Sequence, residues 1–435
     1  MTELADKIDA ILGAEIAPGE PGAAVAALRD GEFLHCKGYG LANVEWGNPI
    51  TTDTVFHIAS LTKQFTATAI MMLKERGQIS LDAPLESVLS DFPAQGRRVT
   101  VRHLLNHTSG IKSYTLLPNQ HREMARLASS LADLVGKIAG LPFDFEPGER
   151  YLYNNSGYVL LGAIIERASG MKYRDFLDRE IFRPLGMTRT QYLFDEPVVP
   201  RRAAGYQRGR GGIENAFFAS ATYYHAAGGL GSTVRDLARW DRAVRTNRLM
   251  PAESFAQMLQ PTVLSDGSEF PYGYGWGTGA YRGRRVYHHT GGITGFSCHM
   301  LHCRDEGVTT IVLSNLYQFP FYRVTRALAR SVFGEDLAVP MPVSLAPHTL
   351  EACAGSFRGE NAVIHTLVTT ADGLAFSAAG GARLVPIGDG HFCEKNDPET
   401  EYVFSAPENG VYTRFRYSSP LFPSALYARC EPENP

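Results

Sequence analysis

Strand-like runs lie at both ends of the first 340 residues and enclose a long helical middle. Near the N-terminus, residues 22–43 form two runs rich in β-forming residues, joined by Asp30-Gly31, a pair typical of tight hairpin turns. Near the other end, the runs RVYHHTGG, FSCHMLHCRD and GVTTIVLSN follow one another, and Glu306-Gly307 marks the last turn. This order predicts one antiparallel sheet assembled from both ends of an α+β domain and flanked by helices.

Two helices are predicted in the middle of this domain. The segment SLTKQFTATAIMMLKERG, which starts at Ser60, has helical spacing of its apolar residues and ends in basic residues followed by Gly77. The segment NSGYVLLGAIIERASG, residues 155–170, is apolar over most of its surface. That pattern predicts a buried helix that ends at Gly170.

The sequence pattern changes near residue 340. Residues 338–347, AVPMPVSLAP, are rich in proline, as a linker is. Short β runs follow, separated by the turn pairs Asp372-Gly373, Asp389-Gly390 and Asn409-Gly410. Several strands within about 90 residues predict a small antiparallel barrel or a sandwich. We therefore predict two domains, residues 1–340 and 341–435, and we find no catalytic cluster in the second.

Composition excludes some classes of function. Hydrophobic residues make up 44% of the chain and charged residues 20%, as in ordinary globular proteins. The net charge of -3 gives no electrostatic reason to expect a nucleic-acid partner. The N-terminus lacks an apolar run of signal-peptide length, and no run elsewhere is long enough to span a membrane. The default expectation is a cytoplasmic protein with six reduced cysteines and no membrane partner.

The segment CHMLHC, Cys298–Cys303, is the one group that suggests a metal. Alternation along a strand would send Cys298 and His302 to one face of the sheet, and His299 and Cys303 to the other. Four ligands cannot converge on one ion from opposite faces. A zinc site is therefore not expected.

Ser60 and Lys63 begin the first predicted helix with the spacing SxxK. Residues three positions apart share a helical face, and side chains lean toward the N-terminus, so the Lys63 amine can reach the Ser60 hydroxyl. A desolvated lysine loses its proton more easily and can then act as the base that activates a serine. The alternative for Ser60 is a helix cap, which is common at such a position.

A second polar group, YLYNNSGY at residues 151–158, precedes the buried helix. Tyr153 and Asn155 are expected in a loop at a helix start, from which side chains can reach a cleft. A tyrosine beside a lysine can transfer protons, and an asparagine can orient a lysine and donate to a substrate. The alternative makes Asn155 a helix cap and Tyr153 a packing aromatic.

A third group, HHTGGITGF at residues 288–296, places glycines at the end of a strand. Because they have no Cβ, Gly291 and Gly292 allow another chain to lie close to the backbone. Such an edge can hydrogen-bond a substrate as an added strand and can offer a backbone N–H to an oxyanion. The alternative is an ordinary turn.

Taken in order, the three groups resemble the motifs of the serine β-lactamase and penicillin-binding-protein superfamily. The similarity is greatest to its class C-like branch of D-aminopeptidases, D-Ala-D-Ala carboxypeptidases and esterases. Ser60-Leu61-Thr62-Lys63 matches SxxK, Tyr153-Asn154-Asn155 matches YxN, and His289-Thr290-Gly291 stands at the KTG position. The resemblance extends over residues 10–335 and includes the segments LLNHTSGI, AAGGLGSTVRDLARW and PYGYGWG.

The resemblance implies a β-lactamase-like fold with an all-helical region beside the sheet, and a reaction through an acyl-enzyme. Ser60 would be the nucleophile. Lys63 and Tyr153 would share the proton transfers, and Asn155 would orient Lys63 and bind the acyl side of the substrate. A C-terminal barrel of lipocalin-like type is also typical of the peptidase members of this branch.

Binding roles are implied for the third motif. The backbone N–H groups of Ser60 and Gly292 would form the oxyanion hole, while His289, Thr290 and Gly291 would contact the substrate. His289 replaces the lysine of KTG, and a histidine near neutral pH carries its charge only part of the time. This replacement makes recognition of a β-lactam carboxylate less secure. No metal or organic cofactor is implied.

The implied function is a serine hydrolase acting on amide or ester bonds, in the first place a D-amino-acid-specific peptidase or amidase. A carboxylesterase, a D-Ala-D-Ala carboxypeptidase and a non-catalytic penicillin-binding-like sensor or scaffold remain alternatives. The expected partners are a small peptide, amide or ester substrate and, in a homo-oligomer, further copies of the chain.

Substrate choice is expected to depend on residues 112–145 and 195–225. Aromatic side chains there can wall a pocket or belong to the core. They are Tyr206, Phe217, Phe218, Tyr223 and Tyr224. A substrate carboxylate would need a cation, and the candidate arginines are Arg208, Arg210, Arg282, Arg284 and Arg285.

Overall fold

The computed structural model describes residues 2–117, 121–193, 197–359, 364–377 and 381–431. The helices are α1 (Thr2–Glu15), α2 (Thr62–Glu75), α3 (Leu85–Val88), α4 (Val101–Leu105), α5 (His121–Met124), α6 (Leu131–Ala139), α7 (Asn155–Ser169), α8 (Tyr173–Leu177), α9 (Arg183–Leu185), α10 (Ala221–Gly228), α11 (Val234–Arg245), α12 (Ala252–Met258), α13 (Phe321–Phe333) and α14 (Pro347–Cys353). Short 3₁₀ turns span Ala59–Leu61 and Tyr114–Leu116, and a π-helical turn spans Asp178–Phe182.

The strands follow the same chain order. They are β1 (Ala23–Arg29), β2 (Glu32–Tyr39), β3 (Leu41–Asn43), β4 (Asn48–Pro49), β5 (Phe56–His57), β6 (Gln191–Tyr192), β7 (Tyr206–Gly209), β8 (Gly212–Asn215), β9 (Leu230–Ser232), β10 (Thr262–Val263), β11 (Glu269–Phe270), β12 (Gly277–Tyr281), β13 (Arg284–Ile293), β14 (Phe296–Cys303), β15 (Val308–Ser314), β16 (Gly355–Gly359), β17 (Ile364–Thr370), β18 (Gly373–Phe376), β19 (Arg383–Gly388), β20 (His391–Glu394), β21 (Asp397–Glu408), β22 (Val411–Ser419) and β23 (Phe422–Cys430).

A six-stranded sheet in the order β12-β13-β14-β15-β1-β2 forms the centre of the larger unit. Strand β1 pairs antiparallel with β15 on one side and with β2 on the other, so that Ala26 lies opposite both Ile311 and Cys36. The N-terminal hairpin therefore completes a sheet begun by the later strands. This confirms the prediction that both ends of the domain build one sheet.

Alternation along the strands divides the core between two faces of this sheet. Val25 of β1 packs with apolar residues of α1 and α13, whereas Ala24 and Ala26 pack on the side of α2, α7 and α11. Each large apolar side chain buried in this way contributes about 1.5–3 kcal/mol. The sheet is thus covered by helices on both faces.

The two predicted helices of the middle region both form and both are buried. Helix α2 follows directly from the 3₁₀ turn that contains Ser60, and α7 ends at Gly170, whose φ of 69° gives a left-handed cap. At Gly162 a Cβ would lie 2.8 Å from the Cβ of Ala226, so α10 packs closely on α7. This packing brings α2, α7 and α10 together around Lys63.

The C-terminal strands β16 to β23 form a closed eight-stranded barrel. This finding confirms the barrel rather than the sandwich. The chain divides into two compact units, one made of Met1–Thr278 and Arg284–Glu335 and the other of Gly279–Gly283 and Asp336–Pro435. The domain ranges 1–340 and 341–435, and the lipocalin-like character of the second, stay predictions.

The remaining sequence expectations concern cysteines, metals and membranes. All six cysteines are free. In β14, Cys298 contacts the Ile58 carbonyl and His302 hydrogen-bonds Asp241, whereas His299 contacts His288 and the ring of Tyr322. The CHMLHC side chains thus separate to two faces, and no group of metal-ligating residues occurs among the described residues. Nor does any described helix combine the length and the apolar character that crossing a bilayer requires.

Candidate active site

Ser60 lies in the 3₁₀ turn Ala59–Leu61, which continues directly into α2. The N-cap positions of this turn and of α2 are Ile58 and Leu61, and neither helix start has a side-chain cap hydrogen bond. The interpretation of Ser60 as a helix cap is therefore wrong. The buried Ala59 before it has a φ of +44°, a conformation that non-glycine residues rarely adopt and that clusters at functional sites. The half-buried Ser60 hydroxyl is therefore presented by a constrained backbone.

Lys63 is completely buried, and its amine has three hydrogen-bond partners. Nζ lies 3.1 Å from Ser60 Oγ, 2.8 Å from Asn155 Oδ1 and 2.8 Å from the carbonyl oxygen of Ala227. Burial lowers the pKa of Lys63 well below its ordinary value, because the interior disfavours the ammonium form. The lysine is thus shifted toward the uncharged amine.

The three partners of the Lys63 amine differ in whether they can donate a hydrogen bond. The carbonyl of Ala227 and Oδ1 of Asn155 can only accept, so each takes one N–H of Lys63. A neutral amine then has a lone pair left, and Ser60 is the one partner that can also donate. The arrangement therefore allows the Ser60 proton to pass to Lys63.

Asn155 is held in place by the loop before α5 and by its neighbour Asn154. The side chain of Asn154 accepts a hydrogen bond from Gly157 N and caps α7, so the alternative that Asn155 is the cap is wrong. Asn155 Nδ2 donates to Thr115 Oγ1 at 2.9 Å, and its backbone N–H donates to Ser113 Oγ at 3.3 Å. These bonds fix the amide with its oxygen toward Lys63.

Tyr153 lies beside Lys63, whose Nζ is 4.8 Å from the centre of the tyrosine ring. The ring of His107 packs against Tyr153 with 4.4 Å between centroids, and His107 Nδ1 accepts from the backbone N–H of Asn154. Burial raises the pKa of Tyr153, while its contact with the Ser60 hydroxyl acts in the opposite direction. Tyr153 is accordingly a phenol in the resting site and able to donate a proton.

His289 is buried behind Tyr153, and its two ring nitrogens face different partners. Nδ1 lies 2.6 Å from the carbonyl oxygen of Thr290 and therefore carries a hydrogen, so Nε2 accepts from the Tyr272 hydroxyl at 2.9 Å. Burial, assisted by the neighbouring Lys63, lowers the pKa of His289 to about 3. The expectation that His289 is partly charged near neutral pH is wrong, because its site is desolvated.

The glycines of β13 lie against the turn that carries Ser60. A Cβ on Gly291 would come 2.4 Å from the Ile58 carbonyl oxygen and 3.2 Å from Ser60 N, so only glycine fits there. A Cβ on Gly292 would point into open space. Strand β13 thus runs beside the backbone N–H of Ser60, and the oxyanion hole of Ser60 and Gly292 stays a prediction.

A cleft of about 320 Å³ opens beside these residues. Its polar lining includes Asn155, Thr115 and the backbone of Gly292, and its aromatic lining consists of Phe217, Tyr224 and Tyr317. A second cleft of about 270 Å³ shares Phe217 and contains Arg202. Of the five aromatic candidates, Phe217 and Tyr224 line the first cleft and Phe218 lines the second. Tyr206 and Tyr223 are buried, and Tyr206 donates to Glu45.

Four further groups in and beside the site lie in segments that the sequence analysis cited, but it did not name them as site residues. They are Thr115, Tyr272, Arg202 and the Ala227 carbonyl. None of them is part of the three motifs, and the Ala227 carbonyl is a backbone group that no side chain identifies.

Three of the arginine candidates for a substrate carboxylate form ion pairs with other residues. Arg208 contacts Glu20, Arg284 contacts Glu335 and Arg285 contacts Asp305.

Comparison with known protein families identifies the chain's relatives. Residues 5–333 match the family model described as Beta-lactamase. The chain belongs to the beta-lactamase family. Members of this family with an SxxK serine are serine hydrolases, and Ser60 and Lys63 stand at that position here. The chain is therefore a serine hydrolase of the beta-lactamase family, and the assignment of Ser60 and Lys63 as its catalytic pair stays a prediction.

Individual relatives support the same family. Penicillin-binding protein 4* of Bacillus subtilis is 32% identical over 73% of this chain and 73% of its own length. The D-aminopeptidase of Gluconobacter oxydans is 31% identical over 68% of this chain, but the match spans only 56% of that protein. The octameric penicillin-binding protein homologue from Pyrococcus abyssi has the same fold, with a TM-score of 0.71, 24% identity and coverage of 97% of this chain and 99% of its own.

Proposed function

We propose that this chain hydrolyses amide bonds of D-amino-acid derivatives through an acyl-enzyme on Ser60. The observation that carries the proposal is the hydrogen-bond set of Lys63, whose buried Nζ has two fixed acceptors, Asn155 Oδ1 and the Ala227 carbonyl, and lies 3.1 Å from Ser60 Oγ. A lysine in this state is a general base placed at its nucleophile.

The reaction starts when Lys63 takes the Ser60 proton and the alkoxide oxygen attacks the substrate carbonyl. The backbone N–H groups of Ser60 and Gly292 stabilise the oxyanion that forms, an interaction that typically lowers such a barrier by several kcal/mol. Tyr153, as a phenol, gives a proton to the leaving amine, and the Lys63 ammonium, which holds the proton taken from Ser60, gives that proton to the Tyr153 phenolate. A water molecule then attacks the ester, with the same groups returning the proton to Ser60.

The lining of the first cleft fits a substrate that is neutral or carries an amine. Its lining contains no ionic side chain among the described residues, and its aromatic walls, Phe217, Tyr224 and Tyr317, can hold an apolar side chain or an ammonium group. A D-amino acid amide has such a side chain, such an amine and an uncharged leaving group. The similarity to D-aminopeptidases is the reason for preferring the D configuration.

A second candidate, a D-Ala-D-Ala-type carboxypeptidase, is favoured by one residue. Arg202 lies in the cleft that adjoins the first through Phe217, and its guanidinium has the charge that a substrate carboxylate requires. His289, at the position of the family's lysine, is uncharged and does not supply this charge. A carboxypeptidase would therefore depend on Arg202.

A single substrate panel separates these functions. It contains D- and L-phenylalanine p-nitroanilide, a D-Ala-D-Ala peptide, p-nitrophenyl butyrate and nitrocefin, each assayed with the wild type and with Ser60→Ala. We expect the D-anilide to have the highest kcat/KM and to exceed the L-anilide by at least about tenfold. If the D-Ala-D-Ala peptide had the highest kcat/KM and Arg202→Gln abolished its hydrolysis, the chain would be a carboxypeptidase. Turnover of the ester alone would show an esterase. If no substrate were turned over, the non-catalytic sensor or scaffold would be the remaining alternative.

A further inference from the structure

The C-terminal barrel has a packed core and, beside it, a cavity. Buried residues such as Phe357, Leu374 and Phe392 form the core. The cavity, of about 460 Å³, is lined by side chains of β17, β18 and β20 to β23, and two of its lining residues, Tyr402 and Phe415, also belong to the core. Eight strands enclose just enough space for side chains or for one small ligand. The volume of this cavity corresponds to that of a small-molecule site.

Aromatic rings surround this cavity in a closed circuit. Tyr402 lies 5.6 Å from Phe376, Phe376 lies 5.4 Å from His365, and His365 lies 5.3 Å from Tyr427. The Tyr427 ring stacks on Phe415 with 4.8 Å between centroids. The Phe415 centroid lies 5.9 Å from that of Tyr402, which closes the circuit. Aromatic faces carry partial negative charge and attract cations, and cages of this kind bind organic ammonium ions.

One carboxylate completes the lining. Glu394 lines the cavity, and its Oε1 accepts a hydrogen bond from the Tyr402 hydroxyl at 2.8 Å. Among the described residues that line the cavity there is neither a lysine nor an arginine, and burial lowers the pKa of His365, which disfavours its charged form. The ionic charge that the lining presents is therefore negative.

We propose that the barrel binds a small organic ammonium ion with an apolar body, the ammonium group at Glu394 and the body among the rings. The circuit of rings supplies the apolar and cation–π contacts, and the carboxylate supplies the charge that selects a cation over a neutral or anionic molecule of equal size. This binding site lies within the barrel and does not depend on the proposed hydrolase activity.

Calorimetric titration of the full-length chain with phenethylamine tests the proposal. Its neutral and anionic analogues, phenethyl alcohol and 3-phenylpropionate, are titrated under the same conditions. We expect phenethylamine to bind at least about tenfold more tightly than either analogue. Equal affinities, or no heat of binding up to about 10 mM ligand, would overturn the proposal.

Two variants locate the binding. Glu394→Gln removes the charge but keeps an oxygen that can accept from Tyr402, so the fold is retained, and we expect the affinity for phenethylamine to fall at least about tenfold. Glu401→Gln is the matched control, because Glu401 lies on the neighbouring strand and pairs with His391 outside the cavity lining. It should leave the affinity unchanged. Equal effects of the two variants, with equal unfolding temperatures, would refute a site at Glu394.

Discussion

Asn155 Oδ1 accepts a hydrogen bond from Lys63 Nζ at 2.8 Å, across 92 residues of sequence. The contact joins the start of α7 to the start of α2 and fixes the direction in which the amine can use its lone pair. Since Asn155 is uncharged, it positions the lysine and favours the ammonium form far less than a carboxylate at the same place would. The central claim, that Lys63 is the base for Ser60, depends on this neutrality.

Asn155→Asp should therefore impair the base through its charge. A carboxylate next to Lys63 favours the ammonium and raises the pKa of Lys63 by about 1–3 units. Because the active form is the free amine, which protonation removes as the pH falls, the acidic limb of kcat/KM should move to higher pH by the same amount. The measurement is the pH profile of p-nitroanilide hydrolysis.

Asn155→Leu is the control for this prediction. Leucine is close to asparagine in size and carries no charge, so it removes the hydrogen bond alone. We expect a lower rate with an acidic limb that does not move to higher pH. An unshifted limb in Asn155→Asp would mean that Lys63 is not the group that titrates.

Tyr153→Phe should lower kcat by about two to four orders of magnitude, the usual range for a proton-transfer residue, with little change in KM. Tyr158→Phe is the matched control, since Nζ of Lys63 also lies 5.4 Å from the Tyr158 ring but the Tyr158 hydroxyl donates to the Leu105 carbonyl. That variant should lose about 0.5–1.5 kcal/mol of unfolding free energy and keep its activity. If Tyr153→Phe raised only KM, Tyr153 would be a binding group.

The fold was predictable wherever the information is local or periodic. The hairpin at Asp30-Gly31, the buried helix that ends at Gly170 and the late strands follow from turn chemistry and spacing over a few residues. Closure of the C-terminal strands into a barrel does not follow, because alternation and turn pairs fit a sandwich equally well. Closure depends on the pairing of β16 with β23, which are distant in sequence.

Only part of the candidate site could be predicted from the sequence. The Ser60 and Lys63 pair follows from helical geometry, and the remaining motif residues follow only from the family resemblance. The Ala227 carbonyl is a backbone group that any residue could supply, and Thr115 acts through a tertiary contact. The charge of His289 depends on its burial, which one sequence does not give.

Gly291→Ala should damage both stability and activity. Its new Cβ would lie 2.4 Å from the Ile58 carbonyl oxygen, so β13 must move away from the turn that carries Ser60. We expect a loss of about 1–3 kcal/mol in chemical denaturation and a fall in kcat. Gly292→Ala places its Cβ in open space, keeps the backbone N–H and should retain its stability. Equal stability of both variants and the wild type would contradict this close approach.

The most direct test of the central claim is mass spectrometry of the protein after reaction with a serine-directed phosphonate. We predict one covalent adduct that maps to Ser60, is absent in Ser60→Ala and forms far more slowly in Lys63→Met, which keeps the apolar stem of the side chain but has no base. Ser60→Ala should also lose all turnover while keeping its fold. An adduct on another residue, or a Ser60→Ala variant that retains a tenth of the wild-type hydrolysis rate, would contradict the account.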